Sequence, residues 1–508
     1  MSFQEVISPA EERFEKIRRT IGLFLGPALL IAIDLLPINL NPKAHHLAAI
    51  LSLVIVWWIT EAVPIPVTAL LGPTLAVIFG VETAKKVFPS FADPVVFLFI
   101  GSFILAQAMS RHRLDQRIAY GLLALPGVGS DLRSILFVFG LISVIISMWI
   151  SNTATTAMLM PIGIGILRTI SKVYSKENGQ EIDPKKLRYS TALMLMAAYG
   201  ASVGGIGTPV GTPPNLIGIG LINNLLKIKI SFFQWMLFAI PLVIIMYIVL
   251  YFLLLILHKP EINKIEAVQE FIKEARQRLG PLTPGQRNIL IAFLLTVGLW
   301  VFPGFIAIFW GSEASVAKWY ESHIPEAGAA LLGAGILFVL PVNWQKREFT
   351  ATLRDFTEID WGTIILFGGG LSLGGLMFST GLAESLGRAI LNITGAHSLW
   401  AITAVSIALG IIFSELTSNT ASANMVIPVM ISLAQAANVN PLIPALGACI
   451  GASYGFMLPV STPPNAIVYG SGMVPITRMI RTGILFDICG FLIIFFGLFL
   501  FLPLAGLR

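Results

Sequence analysis

The chain has 508 residues, of which 56% are hydrophobic and only 12% charged, with a mean hydropathy of +0.83. That balance excludes a water-soluble globular fold and places the chain among proteins that cross a membrane several times. The formal net charge of +6 would suggest nucleic acid or an acidic partner in a soluble protein, whereas here it reports basic loops on one side of a bilayer and implies no nucleic-acid partner. Cys449 and Cys489 both stand in apolar runs, which implies neither a disulfide framework nor a zinc site.

Residues 1–20 read as a charged amphipathic arm, and Glu5, Glu11, Glu12 and Arg13 ahead of the first apolar run argue against a cleaved signal peptide. Apolar segments follow near 21–39, 47–62, 66–82 and 94–110, close to the about 20 residues that a helix needs to span a bilayer. A helix-tip-helix unit then covers about 133–170, with Ser151-Asn152-Thr153 at its tip and Pro161 beyond. A polar loop, Lys172 to Arg188, leads to a helix over 189–210, a break at Gly211-Thr212-Pro213-Pro214-Asn215 and a half-helix to about 226. Further crossings fall near 232–257, 286–303, 327–342 and 361–385. A second unit covers 398–435, with Ser418-Asn419-Thr420 at its tip and Pro428 beyond. After it come a helix over 443–460, a second break at Ser461-Thr462-Pro463-Pro464-Asn465, a half-helix to about 476 and a last span near 483–503.

Treating both triplet segments as re-entrant hairpins fixes which loops share a side, and all but eight of the 33 Lys and Arg then fall on the same one. Basic loops mark the cytoplasmic face. The expectation is a cytoplasmic N-terminus, an external C-terminus and about eleven transmembrane helices. The first hairpin enters from inside and the second from outside, so the halves form an inverted repeat. The triplets are offset by 267 residues (151 to 418) and the Thr-Pro-Pro-Asn motifs by 250 (212 to 462), the basic loop over 171–188 accounting for the difference. Upstream, LFIGSFILAQAM at 98–109 matches LFGGGLSLGGLM at 366–377. Inverted repeats that each contain a broken helix point to a midplane site in a secondary transporter. The expected fold class is thus an all-α polytopic membrane protein with two re-entrant hairpins and two broken helices.

Helix N-termini at such a tip attract anions through free N–H groups and the helix dipole. Ser, Asn and Thr cap the following helix, and Asn can turn its carbonyl to a cation and its amide N–H groups to an anion. One triplet alone serves equally well as a helix cap; two at matching points favour a site for both ligands. Proline in the broken helices removes N–H donors and frees carbonyls, which at membrane depth ligate sodium or line a cavity. A single Thr-Pro-Pro would read as a kink, and its recurrence with Asn changes that. Ionisable residues in apolar runs, here Asp34, Glu61, Glu415 and Asp487, are candidates for function. Glu61 suits a structural place at a helix end, while Glu415, three residues before Ser418, could tune a cation site. The histidines fall mostly in loops without HExxH spacing, and no nucleophile and base stand together, so the chain does not read as an enzyme.

These residues resemble the divalent anion:sodium symporter family of dicarboxylate, citrate and sulfate carriers. The resemblance rests on both Ser-Asn-Thr tips, both Thr-Pro-Pro-Asn breaks and the run Trp-x-Thr-Glu-x-x-Pro-x-x-x-Thr-Ala-Leu from Trp58 to Leu70. It implies co-transported sodium ions, a homodimer in membrane lipid, and an elevator mechanism in which a transport domain moves against a scaffold. Its scaffold would comprise 1–131 and 258–397, and its transport domain 132–257 and 398–508. Matching positions for sodium are Ser147, Ser151, Asn152 and Gly211 in the first half and Ser414, Thr417, Asn419 and Ser461 in the second. Those for substrate are Asn152, Thr153, Thr212, Asn419, Thr420, Thr462 and Pro463. The expected function is sodium-coupled symport of small divalent anions, C4-dicarboxylates such as succinate, malate and fumarate foremost, at a bacterial inner membrane. A sodium-independent dicarboxylate exchanger and a sodium/sulfate symporter remain as alternatives.

Overall fold

Backbone groups surrounded by lipid must find partners within their own segment, and this chain meets that demand with helices almost throughout. The computed structural model describes residues 9–126, 128, 130–311 and 314–507, so Glu5, Arg508 and the side chain of Glu11 lie outside the described residues. The first group is α1 (Pro9–Leu35), α2 (Pro42–Thr60), α3 (Ile65–Ile78), the short α4 (Ala84–Val87), α5 (Pro94–Arg111) and α6 (Leu114–Leu123). Then follow α7 (Leu132–Ser147), α8 (Asn152–Asn178), α9 (Arg188–Gly205), α10 (Pro213–Leu226) and α11 (Phe232–Leu257), with the polar α12 (Glu266–Arg278) after them. The second half runs through α13 (Pro284–Trp310), α14 (Ser315–His323), α15 (Glu326–Val339), α16 (Leu353–Thr357), α17 (Trp361–Ser379) and α18 (Leu382–Thr394). It closes with α19 (Leu399–Leu416), α20 (Asn419–Ala436), α21 (Leu442–Gly451), α22 (Pro463–Gly470) and α23 (Ile476–Phe501). One small antiparallel pair, β1 (Pro341–Asn343) with β2 (Glu348–Phe349), interrupts the helices.

Among the described residues eight helices are long and apolar enough to span a membrane, or nine if α14 and α15, bent by 54° at their junction, form one span. Of the eleven crossings expected from the sequence, α3 and α21 are short here, with 14 and 10 residues, and two of the eight long helices, α8 and α19, belong to the units expected as re-entrant hairpins. Several expected boundaries also change. The arm and the first apolar run are one helix, α1, which continues through Pro27. The stretch expected as one span over 361–385 stops at Ser379, turns at Gly381 with φ of 77°, and restarts as α18. Arg113, with φ of 56°, makes the same turn before α6, so both halves carry a short amphipathic helix ahead of the tip unit. The helix expected over 443–460 ends at Gly451, and residues 452–461 are not helical. The half-helix after it ends at Gly470, not near 476.

Large apolar side chains such as Phe24, Leu35, Ile256 and Trp310 lie on the outside, where lipid rather than water is their solvent. Two of the suspect acids are held in place: Asp34 Oδ1 lies 2.6 Å from His46 Nδ1, and Glu61 pairs with Arg18 and Arg19 at 3.7 and 3.6 Å. The interior couples the halves through an aromatic cluster, in which Tyr199 of α9 lies 4.7 Å from Phe456 and Phe456 4.8 Å from Phe486 of α23.

His258, buried at the end of α11, sits 2.9 Å from Thr482 Oγ1 of α23. Burial, with Arg478 and Arg481 nearby, lowers its pKa from 6.5 to about 4. A depressed pKa contributes stability that is present above the unfolded value and lost as pH falls through the folded one. Thermal unfolding of the detergent-solubilised protein should therefore show a loss of at most about 3 kcal/mol between pH 6.5 and 4 that His258→Gln lacks. Parallel pH profiles of the two proteins would contradict this assignment.

Candidate functional site

The two tips are built alike. Ser151 and Ser418 are N-caps, their hydroxyls accepting from Ala154 N at 3.2 Å and Ala421 N at 3.3 Å. One turn earlier, the Ser147 hydroxyl donates to Asn152 Oδ1 at 2.7 Å, and the Ser414 hydroxyl makes the same bond to Asn419 Oδ1 at 2.7 Å. Each asparagine therefore has its carbonyl turned back onto the end of the preceding helix.

The two breaks are also built alike, and their asparagines hold them. Asn215 Nδ2 donates to Gly205 O at 2.9 Å and Thr208 O at 2.7 Å. Asn465 Nδ2 donates to Gly455 O at 2.9 Å and Leu458 O at 3.0 Å. A helix that ends in an apolar interior leaves carbonyls unpaired, and one amide with two N–H groups takes two of them. The 250-residue offset between the motifs is thus repeated bond for bond. Asn215 Oδ1 and Asn465 Oδ1 are both buried and have no donor among the described residues.

Glycine lets tip and break touch in the first half. A Cβ on Gly205 would lie 2.4 Å from Asn152 Oδ1, and one on Gly211 would lie 2.5 Å from Gly205 O. In the second half Ser414 Oγ reaches Ala452 O at 2.9 Å, and Ser461 takes the place of Gly211, its hydroxyl donating to Glu415 Oε2 at 2.5 Å. Glu415 Oε1 accepts from Met457 N at 2.7 Å.

Tips and breaks meet around one cavity of about 610 Å³. All seven residues matched to substrate line it: Asn152, Thr153, Thr212, Asn419, Thr420, Thr462 and Pro463. The first residues of α8, α10, α20 and α22 are all among the lining, so four helix N-termini converge there. No Lys or Arg is among the lining residues. Of the positions matched to sodium, Ser151, Asn152, Gly211, Asn419 and Ser461 also reach the cavity, whereas Ser147 and Ser414 are fully buried behind the tips. Thr417 is turned away, its hydroxyl donating to Trp58 O of α2 at 2.9 Å. The cavity also takes in residues that sequence reasoning missed: Gln107 of α5, and Glu358, Asp360 and Thr363 before and within α17. Only Asp360 carried a signal, as an N-cap that accepts from Thr363 N at 3.0 Å, and that signal speaks of a helix start and not of a site. Among the described residues no three His, Cys, Asp or Glu are grouped to hold a metal ion.

The chain matches the family model described as the sodium:sulfate symporter transmembrane region over residues 18–506. It is 32% identical over 497 residues to the sodium-dependent dicarboxylate transporter SdcS of Staphylococcus saprophyticus, covering 97% of this chain and 93% of that one. It is 32% identical over 489 residues to SdcS of Staphylococcus aureus, covering 96% and 91%. Among solved structures, the Alcanivorax borkumensis YdaH transporter aligns with a TM-score of 0.55 at 12% identity over 97% of both chains. Neisseria gonorrhoeae MtrF aligns with a TM-score of 0.55 at 13% identity over 92% of this chain and 97% of that one. At such identities these two speak for the fold alone.

Removing either staple should loosen its break. Asn215→Ala and Asn465→Ala each strand two buried carbonyls, at a cost of about 1–3 kcal/mol, and should lower the thermal midpoint of the purified protein. Midpoints equal to wild type would mean that the breaks are held by other contacts.

Proposed function

This chain belongs to the divalent anion:sodium symporter family, and from that premise we propose that it couples sodium to the uptake of a small dianion, a C4-dicarboxylate foremost. It is an integral membrane transporter and not an enzyme. The observation that carries the substrate reading is the cavity where four helix N-termini meet without a single Lys or Arg. Each N-terminus offers roughly half a positive charge, which suits a dianion. The first residues of α10 and α22 are prolines and lack N–H donors, so hydrogen bonds come mainly from the amides of Asn152 and Asn419 and the hydroxyls of Thr153, Thr212, Thr420 and Thr462, with Pro463 closing the wall. Neutral donors bind more weakly than a bidentate Arg, which favours moderate affinity and tolerance of succinate, malate and fumarate. The relatives' name, sodium-dependent dicarboxylate transporter, supports this over the sulfate of the family's description.

Sodium is cargo in this reading. Ser147, Ser151, Asn152 and Gly211 would take one ion and Ser414, Asn419 and Ser461 another, with Thr417 contributing through its backbone because its hydroxyl is engaged by Trp58. The buried, undonated Oδ1 atoms of Asn215 and Asn465 fit cations near both breaks. Each tip asparagine touches ion and anion together, so each ligand raises the affinity for the other by the same factor.

For movement, we assign 132–257 and 398–508 to a transport domain that travels as an elevator against a scaffold of 1–131 and 258–397, within a homodimer. The triplet units are re-entrant hairpins of an inverted repeat with about eleven crossings, the N-terminus cytoplasmic and the C-terminus external in a bacterial inner membrane. The positive-inside distribution supports that orientation. The bond from Thr417 to Trp58 crosses the division and must break on each cycle.

Uptake of radiolabelled succinate, citrate and sulfate into proteoliposomes tests the proposal: succinate should accumulate only with an inward sodium gradient. Accumulation that ignores sodium would promote the exchanger, and accumulation of sulfate alone would replace the substrate. Asn152→Ala and Asn419→Ala should each weaken binding of succinate and sodium together, by roughly tenfold or more for a charge-assisted bond, in a protein that still elutes as wild type. For the motion, Trp58→Cys with Thr417→Cys, in a chain freed of Cys449 and Cys489, should stop uptake when oxidised and recover on reduction. Undiminished uptake by the cross-linked protein would reject the elevator division.

A further inference from the structure

The two breaks differ in one respect that their shared hydrogen bonds conceal. Behind the first, α11 supplies a neutral donor, Trp235 Nε1 to Ile206 O at 2.9 Å, and carries no Asp, Glu, Lys or Arg. Behind the second, α23 presents Gly483, Asp487 and Gly490, which spacings of four and three put on one face. A Cβ on Gly483 would lie 2.4 Å from Phe456 O, and one on Gly490 would lie 1.9 Å from Tyr454 Cε1. The non-helical chain over 452–461 therefore lies directly on this face, and Asp487, between the two contacts, faces it.

Asp487 is 7% exposed, and neither carboxylate oxygen meets a donor among the described residues. The Glu415 carboxylate is the first neighbouring charge acting on it. The Tyr454 hydroxyl, on a fully buried side chain, also lacks a partner among the described residues, and of the neighbouring charges Asp487 acts on it most. At the first break the position 267 residues before Glu415 is Met148, so the acids belong to the second half only.

We propose that Asp487, Glu415 and the Tyr454 hydroxyl form a further sodium site behind the second break, separate from the ions at the two tips. A buried carboxylate without donors or a countercharge costs several kcal/mol. A single shared proton would pair two of the oxygens. A cation bound among them uses both Asp487 oxygens and the phenol at once, and carboxylate and hydroxyl oxygens are the donors that hard cations prefer. Glu415 joins this site to the cavity, because its Oε2 accepts from Ser461, which lines it. The ion would thus be felt at the substrate through one side chain. The proposal deepens the sodium-coupled reading and rests on it.

Equilibrium binding of radiolabelled sodium to the purified full chain, with saturating succinate, counts the ions. Three per chain are expected for wild type and two for Asp487→Asn, whose amide keeps the shape and removes the charge. Tyr454→Phe should keep three with an apparent sodium affinity several-fold weaker, and it serves if the Asp487 variant does not fold. Two ions in wild type, or three in Asp487→Asn, would overturn the site while leaving sodium coupling intact. An unchanged count with an altered pH profile of uptake would overturn it in favour of a proton on Asp487. No bound sodium in wild type would instead overturn the sodium-coupled reading itself.

Discussion

Two side-chain amides, Asn215 and Asn465, allow this protein to end helices where no water can satisfy the exposed backbone. Each donates two N–H groups to carbonyls that the broken helix leaves behind, at distances between 2.7 and 3.0 Å. Without such partners an unpaired carbonyl in an apolar interior costs about 1–3 kcal/mol or more, and the chain would lower its energy by continuing the helix. With them, the chain turns sharply and restarts at Pro213 and Pro463, where a missing N–H costs nothing because the first turn has no acceptor for it. The cavity exists because both helices stop beside the two tips, where both breaks and both tips line it.

The electrostatics follow from that geometry. In the proposed binding mode four helix N-termini stand in for the arginines or lysines that usually receive an anion, and they supply partial charges that need no counter-ion when the cavity is empty. A full positive charge buried there would have to be desolvated, whereas aligned peptide dipoles belong to the fold itself. The lining also carries carboxylates at Glu358 and Asp360. Both are engaged locally: Glu358 Oε1 accepts from Arg354 at 2.6 Å, and Asp360 caps α17. Their repulsion toward an anion is therefore tempered.

The halves repeat each other's bonds and yet are not interchangeable. Ile206 O and Phe456 O stand at matching points of the two breaks; the first accepts from Trp235 in its own half, the second from Tyr199 in the other half at 2.5 Å. The second break thus depends on α9, and the aromatic cluster of Tyr199, Tyr454, Phe456 and Phe486 ties the two repeats into one body around it. Such a tie holds the two breaks in a fixed relation around the cavity that both line.

The sequence by itself determined where helices begin, and with them most of the site. Ser151 and Ser418 are N-caps because a hydroxyl before a helix pairs a free N–H, Pro213 and Pro463 open helices because proline is tolerated only there, and the duplication of both motifs points to one shared site, while the seven substrate positions that line the cavity follow from the family resemblance. These are local rules, legible within a turn or two. Where helices end was decided by distant partners. The apolar run after Leu442 gave no reason to stop at Gly451; it stops because Tyr199 and Asn465 take the carbonyls of Phe456, Gly455 and Leu458. The same holds for Thr417, whose hydroxyl goes to Trp58, 359 positions away, and for Gln107 and Glu358, which reach the cavity only through the packing of α5 and α17. A single polar residue has no period and no motif, so its partner is fixed by tertiary contact alone.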